Sequence, residues 1–171
     1  MSFIVQAKEN KTPEEGVVQA VCTAIYDLGT QLNTINNKEQ PKVMFEWEIQ
    51  NEDGVMYVYK SYTASLYPNA TLTKDLQSWI GEVKQSFDLE SLLGKNAQIM
   101  IKKIEYNGKT YTKVASIMGL PKGMKPLKPF KEVMVYHLSD GAFPAGMPEW
   151  IKKIVQKSKE YQAMYKEVPF N

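Results

Sequence analysis

The chain has 171 residues, a net charge of +2, one cysteine, one histidine, and lysine at all 21 basic positions. That length suits one domain with a substantial core, and a lone cysteine excludes an internal disulfide, which fits a reducing, cytoplasmic setting. No apolar run is long enough to span a bilayer, and no secretory leader is expected, because Met1-Ser2-Phe3-Ile4-Val5-Gln6 gives way at once to Lys8-Glu9-Asn10-Lys11.

In chain order, residues 16–28 predict a first strand that is apolar on both sides, as a strand covered on both faces would be. Residues 42–49 predict a second: Val43, Phe45, Trp47 and Ile49 form a buried face, while Met44, Glu46 and Glu48 form a solvated one. The intervening segment 29–41 is expected to be a long, polar, mobile loop. Asp53-Gly54 supplies a tight hairpin turn into a third strand over 55–66. From Thr71 the period becomes helical, with Leu72, Leu76, Trp79 and Ile80 on one stripe, Thr71 or Thr73 as cap and Gly81 as stop. One more helical turn is expected before Gly94. Strands at 97–106 and 110–118 flank Asn107-Gly108, the strongest hairpin signal in the chain. A final helix from Pro148 to about residue 165 carries Trp150, Ile151, Ile154, Val155, Tyr161 and Met164.

The order β-β-β-α-β-β outlines a mainly β fold: a five-stranded OB-fold Greek-key barrel, one helix between strands 3 and 4, plus a C-terminal helix. The expected organisation is an N-terminal lead (1–15), the barrel (16–120), a Pro/Lys-rich extension (121–147), and the C-terminal helix and tail (148–171).

Charge is unevenly placed. Residues 1–94 hold 7 Lys against 13 Asp and Glu, a balance of −6, whereas residues 95–131 hold 9 Lys against Glu105 alone, a balance of +8. A local excess of this kind is the footprint of a polyanion-binding face; its plainer reading is a solvated hairpin and linker. Without arginine, bidentate reading of guanine is weak, so any nucleic-acid contact should be largely sequence-independent.

Nothing points to catalysis. His137 lies in the apolar run 134–138 and is expected to be packed. There is no Cys/His metal spacing, no glycine-rich phosphate loop and no nucleophile elbow, so neither an enzyme nor a metal or cofactor site is expected. Aromatics interleaved with lysine are the better candidates. On an OB barrel the strand 2–3 face and the loops joining strands 1–2 and 4–5 build the groove. Tyr57, Tyr59 and Lys60 fall on strand 3, and Lys102, Lys103, Tyr106, Lys109, Tyr111 and Lys113 on the 4–5 hairpin. The rings would stack bases and the lysines would contact phosphate; the alternative is that the tyrosines pack with their hydroxyls at the surface. Glu46 and Glu48 weigh against this face, since they share it and would repel phosphate. Lys122, Lys125, Lys128 and Lys131 recur every third residue, the period of polyproline II, and would form one basic ridge.

Several blocks carry a resemblance: Gly16-Val17-Val18-Gln19-Ala20-Val21-Cys22, Tyr26-Asp27-Leu28-Gly29, Phe45-Glu46-Trp47-Glu48-Ile49, Lys60-Ser61-Tyr62-Thr63-Ala64-Ser65-Leu66, Leu72-Thr73-Lys74-Asp75-Leu76-Gln77-Ser78-Trp79, Phe87-Asp88-Leu89-Glu90-Ser91-Leu92-Leu93-Gly94 and Leu120-Pro121-Lys122-Gly123. Over about residues 14–125, and more weakly through Pro148-Glu149-Trp150-Ile151, the chain resembles a family of bacteriophage and prophage OB-fold single-stranded-DNA-binding replication proteins. The resemblance implies a coat for single-stranded DNA in phage replication or recombination, acting in the cytoplasm of the bacterial host with phage or host replication proteins as further partners and self-association open. None of the blocks marks a ligand contact. Bacterial single-stranded-DNA-binding proteins end in an acidic tail closing on Pro-Phe; here Pro169-Phe170 is followed by Asn171 and preceded by Glu167 as the lone acid of that terminus, which argues against a recruiting tail. The competing reading is an OB-fold interaction module that docks another protein of the replication complex without touching nucleic acid.

Overall fold

The two-sided apolar pattern at the start of the first predicted strand is realised as one long strand, β1 (Gly16–Asn33), in the computed structural model, which describes residues 3 and 12–165. Most of the N-terminal lead and the Pro169-Phe170 terminus lie outside the described residues. β2 (Lys38–Asn51), β3 (Gly54–Thr63), β4 (Asn96–Tyr106) and β5 (Lys109–Met118) follow, with helix α1 (Thr71–Ile80) between β3 and β4. These five strands lie in the order β3-β2-β1-β4-β5, all antiparallel. A sixth strand, β6 (Met134–Tyr136), which sequence periodicity does not reveal, pairs parallel with β1. The sheet is mainly antiparallel and is not closed.

One edge of β1 serves two partners. Residues 16–21 pair with β4, and residues 24–26 pair with β6. An irregularity between Cys22 and Ala24 marks the handover, leaving Thr23 as the extra residue opposite β2. The other edge pairs with β2 down to Asn33↔Lys38, so the expected loop over 29–41 shrinks to a turn at 34–37. The polar residues there are not loop residues because the C-terminal helices hold them: Gln31 Nε2 donates to the carbonyl of Ile154 at 2.9 Å, and Thr30 donates to Glu160 through both N–H and hydroxyl.

Two apolar layers sandwich β1 and β2. The inner one contains Val43, Phe45, Trp47 and Ile49, as the alternation predicts, with Leu72, Leu76 and Trp79 of α1 and Ile99, Ile101, Val114 and Ile117 of β4 and β5. The Trp79 ring packs tilted against Trp47, centroids 4.8 Å apart, and donates to the carbonyl of Asn96 at 2.8 Å. The outer layer joins Ala24, Tyr26, Leu28 and Met44 to Tyr136, Leu138, Met147, Ile151 and Val155. Its helices are α2 (Glu149–Gln156) and α3 (Lys159–Met164).

Several local expectations need correction. The single C-terminal helix is two, broken at Lys157-Ser158, where the buried Ser158 hydroxyl accepts from the N–H of Tyr161 and caps α3. Pro148 is the N-cap residue rather than a first-turn residue. The N-cap residue of α1 is Ala70, which supplies no side-chain cap, although Gly81 ends the helix at φ 91° as expected. The turn before Gly94 is a 3-10 turn, Leu89–Leu92, capped by Asp88. His137 is about half exposed rather than packed, with Nε2 2.5 Å from Glu90 Oε1. Met44, Glu46 and Glu48 are not solvated: all three are buried, because the chain after β5 crosses over them.

Gly29 supplies a stability test. It sits at φ +68°, and a Cβ there would lie 2.7 Å from Ser158 Cβ. Gly29→Ala is expected to cost about 2–4 kcal/mol, because backbone strain adds to a clash that undocks α3. Gly108→Ala, at φ +75° in open space, should cost only about 1–2 kcal/mol from the backbone. Thermal unfolding of both variants checks this, and equal losses would argue against the docking of α3 on β1.

Candidate functional site

The outer face of β2 carries two carboxylates with no solvent exposure, Glu46 and Glu48. Buried carboxylates need hydrogen-bond partners; both have them, and Glu46 also meets a cation. Glu46 accepts from Thr23 Oγ1 at 2.8 Å, Tyr59 OH at 2.8 Å and Tyr26 OH at 3.4 Å, and pairs with Lys131 Nζ at 2.5 Å. Glu48 accepts from Tyr57 OH at 3.0 Å, from Gln50 Nε2 at 2.7 Å and from the N–H of Phe130 at 2.9 Å. Residues 125–131 thus form a strap tied to β1, β4 and β2. Its other fastenings are Gln19 to the carbonyl of Lys125, Asn96 to both the N–H and carbonyl of Leu127, and Gln50 to the carbonyl of Lys128. Lys131 Nζ also lies 4.2 Å from the centre of the Tyr57 ring.

This arrangement fixes protonation. Burial first, then the glutamates beside them, raises the pKa of Tyr26, Tyr57 and Tyr59 well above the usual tyrosine value. Burial and the Glu46 charge push the Cys22 thiol up to about 12, which leaves it an unreactive core residue.

The residues nominated from sequence fall into three groups. Tyr57 and Tyr59 share the outer face of β3 with hydroxyls tied to Glu48 and Glu46, and both line a cleft of about 660 Å³ between β3 and β5. Tyr111 and Thr112 line its far side and Trp150 of α2 is also part of it, the Trp150 ring meeting Tyr59 edge-on at 4.8 Å. Glu46 and Glu48, expected to present their charge on this face, are instead buried, and Glu46 pairs with Lys131.

The second group is the β4–β5 hairpin. Opposite residues share a face, and Lys102↔Lys113, Ile104↔Tyr111 and Tyr106↔Lys109 are opposite one another. Five of the six nominated hairpin residues therefore lie on one face with no acid among them. Lys103 and Glu105 fall on the other face, and at the edge of β4 Glu15 accepts from the backbone N–H of Lys103 at 2.7 Å. Beyond Ile101 and Val114 the ribbon leaves the core: Ile104, Tyr106 and Tyr111 are 42%, 66% and 50% exposed. Asn107 and Gly108 both take positive φ, 51° and 75°, as the tight turn demands.

The third group is not brought to either place. Lys60 pairs with Asp75 of α1 at 2.6 Å on the inner side of β3. Lys122, ahead of the strap, and Lys125, at its start, are exposed, but the expected ridge is broken because Lys131 turns inward to Glu46. Sequence reading missed Trp150 and Lys131. The signal available for Lys131 was the pair of glutamates on a strand facing aromatics, which needs a cation if it is buried. Among the described residues no group of His, Cys, Asp and Glu could hold a metal ion, and no helix is long and apolar enough to cross a membrane.

Two outcomes test this interior. Lys131→Met strands the Glu46 charge and should cost about 2–3 kcal/mol, less than a fully buried pair because Lys131 is partly exposed; adding Glu46→Gln should recover most of the loss. In alkali, the three tyrosines have folded pKa values raised above the ordinary tyrosine value of about 10, so their contribution to stability is complete below that pH and is lost as pH rises through the folded values. A fraction of tyrosinate absorbance should therefore appear only together with loss of far-ultraviolet circular dichroism. Full tyrosine ionisation in a folded protein would contradict the assigned hydrogen bonds. In comparisons with known proteins, no protein-family model and no curated protein matches this chain.

Proposed function

We propose that this protein binds single-stranded DNA, with little sequence preference, through the outward face of the β4–β5 hairpin and the adjoining cleft. The observation that carries the reading is the pairing register, which gathers Lys102, Lys109 and Lys113 with Tyr106 and Tyr111 on one exposed, acid-free face. Ammonium groups suit phosphates, and tyrosine rings stack on any base. The strand order β3-β2-β1-β4-β5, with α1 between β3 and β4, fits an OB barrel whose last seam, β3 to β5, stays open. In this reading the protein is a binding protein rather than an enzyme. It belongs with the phage and prophage replication or recombination proteins it resembles, working in the host cytoplasm on exposed single strands.

The interaction-module reading has one observation in its favour. The β2 face that an OB barrel offers to ligands is roofed here by the strap, which leaves less room for a strand than an open barrel would.

Titration of labelled oligo-dT at two salt concentrations tests the proposal. Log affinity should fall with log salt, and the triple change of Lys102, Lys109 and Lys113 to Ala should weaken binding and flatten the slope by about 2, at about 0.7 per phosphate contact. Tyr106→Leu should weaken binding about 5-fold or more with the slope unchanged. Undetectable binding at low salt would overturn the proposal in favour of the interaction module.

A further inference from the structure

Trp150 sits where a base-stacking group would be most useful, although it comes from outside the sheet. Helix α2 is anchored to the outer layer by Ile151 and Val155, both fully buried. The preceding residue, Trp150, is 45% exposed and leans over β3. Large aromatic side chains usually bury their apolar surface; one left half open in a cleft floored by other rings is an available stacking platform. Its neighbours are tied by hydrogen bonds. Tyr59 meets it edge-on at 4.8 Å with its hydroxyl held by Glu46, and the Tyr57 hydroxyl is held by Glu48. Across the cleft stands Tyr111, which belongs to the hairpin face already described.

We infer that Trp150 is a nucleobase-contacting residue, and that the cleft between β3 and β5 is a stacking subsite continuing the hairpin face toward α2. This inference rests on the single-stranded-DNA reading above. The path would run from the hairpin lysines past Tyr111 into the cleft, where the rings of Trp150, Tyr57 and Tyr59 form the wall. A base enters a preformed site there, because the hydroxyls that fix the tyrosines are bonded on the buried side. The alternative role for Trp150 is a cover for Tyr59, with no contact to ligand.

The chain itself supplies the probe. It has three tryptophans, of which Trp47 and Trp79 are 0% and 7% exposed, so a base stacking from solvent reaches Trp150 alone. The experiment follows tryptophan emission and the anisotropy of a labelled oligo-dT of about 16 nucleotides in the same titration of the full chain. Saturable quenching that tracks anisotropy is expected. Trp150→Phe should abolish the quenching while holding affinity within about 3-fold, because phenylalanine still stacks. Trp150→Leu should weaken binding about 5- to 100-fold and leave the salt slope unchanged. The thermal midpoint of each variant is measured alongside, and the phenylalanine variant carries the test if the leucine variant is unfolded. Oligo-dT that binds without altering emission, and binds the leucine variant as tightly as the parent, overturns the cleft while leaving the hairpin reading intact. Absence of any anisotropy change removes both.

Discussion

Two carboxylates with no solvent exposure set the terms for the outer half of this molecule. Glu46 and Glu48 project from the face of β2 away from the inner core, and each needs a set of hydrogen-bond donors there. Tyrosines from β1 and β3 supply some of them, but they do not supply a cation. That comes from Lys131, and the backbone N–H of Phe130 completes Glu48. The strap that carries both residues is therefore required by β2, and once it is laid down the chain is positioned to form β6 along β1 and to dock α2 and α3. Removing one partner leaves a buried charge uncompensated, which is why the sheet and the C-terminal third should be energetically coupled.

The same carboxylates shape the candidate binding surface. By holding the hydroxyls of Tyr57 and Tyr59, they fix two rings at the border of the β3–β5 cleft. The entropy of ordering those side chains is spent in folding rather than in binding. Roofing the β2 face also shifts the available surface toward β3 and the hairpin. The acidic character of the first 94 residues and the basic character of the next stretch are thus reconciled in space. Two of the acids most threatening to a phosphate are internal, while the hairpin lysines lie on a face free of carboxylates.

The hairpin is a different kind of element from the rest of the sheet. Up to Ile101 and Val114 its strands belong to the core; beyond them its stability comes mainly from the turn and cross-strand pairs, with Glu15 bonded to the N–H of Lys103. Exposed apolar residues on such a ribbon carry a solubility cost unless they meet a partner. Ile104, Tyr106 and Tyr111 are flanked on the same face by Lys102, Lys109 and Lys113, so apolar and charged side chains alternate along the ribbon.

How much of this was legible in the sequence follows from the range of each interaction. The inner face of β2, the stripe of α1, the stop at Gly81 and the Asn107-Gly108 turn are local: periodicity and backbone preference decide them within a few residues, and they stand where the sequence puts them. Two-sided burial of β1 was also legible, because alternation had already failed on both of its faces. What the sequence could not decide was which segment covers an outer face. Glu46 and Glu48 read as solvated because their partners lie up to 85 positions away, at Phe130 and Lys131. For the same reason the polar run at 29–41 read as a loop, His137 read as core, and Trp150 was not considered for the cleft. Those positions take their meaning from the strap and the last two helices folding back over the sheet, and only tertiary structure brings them together.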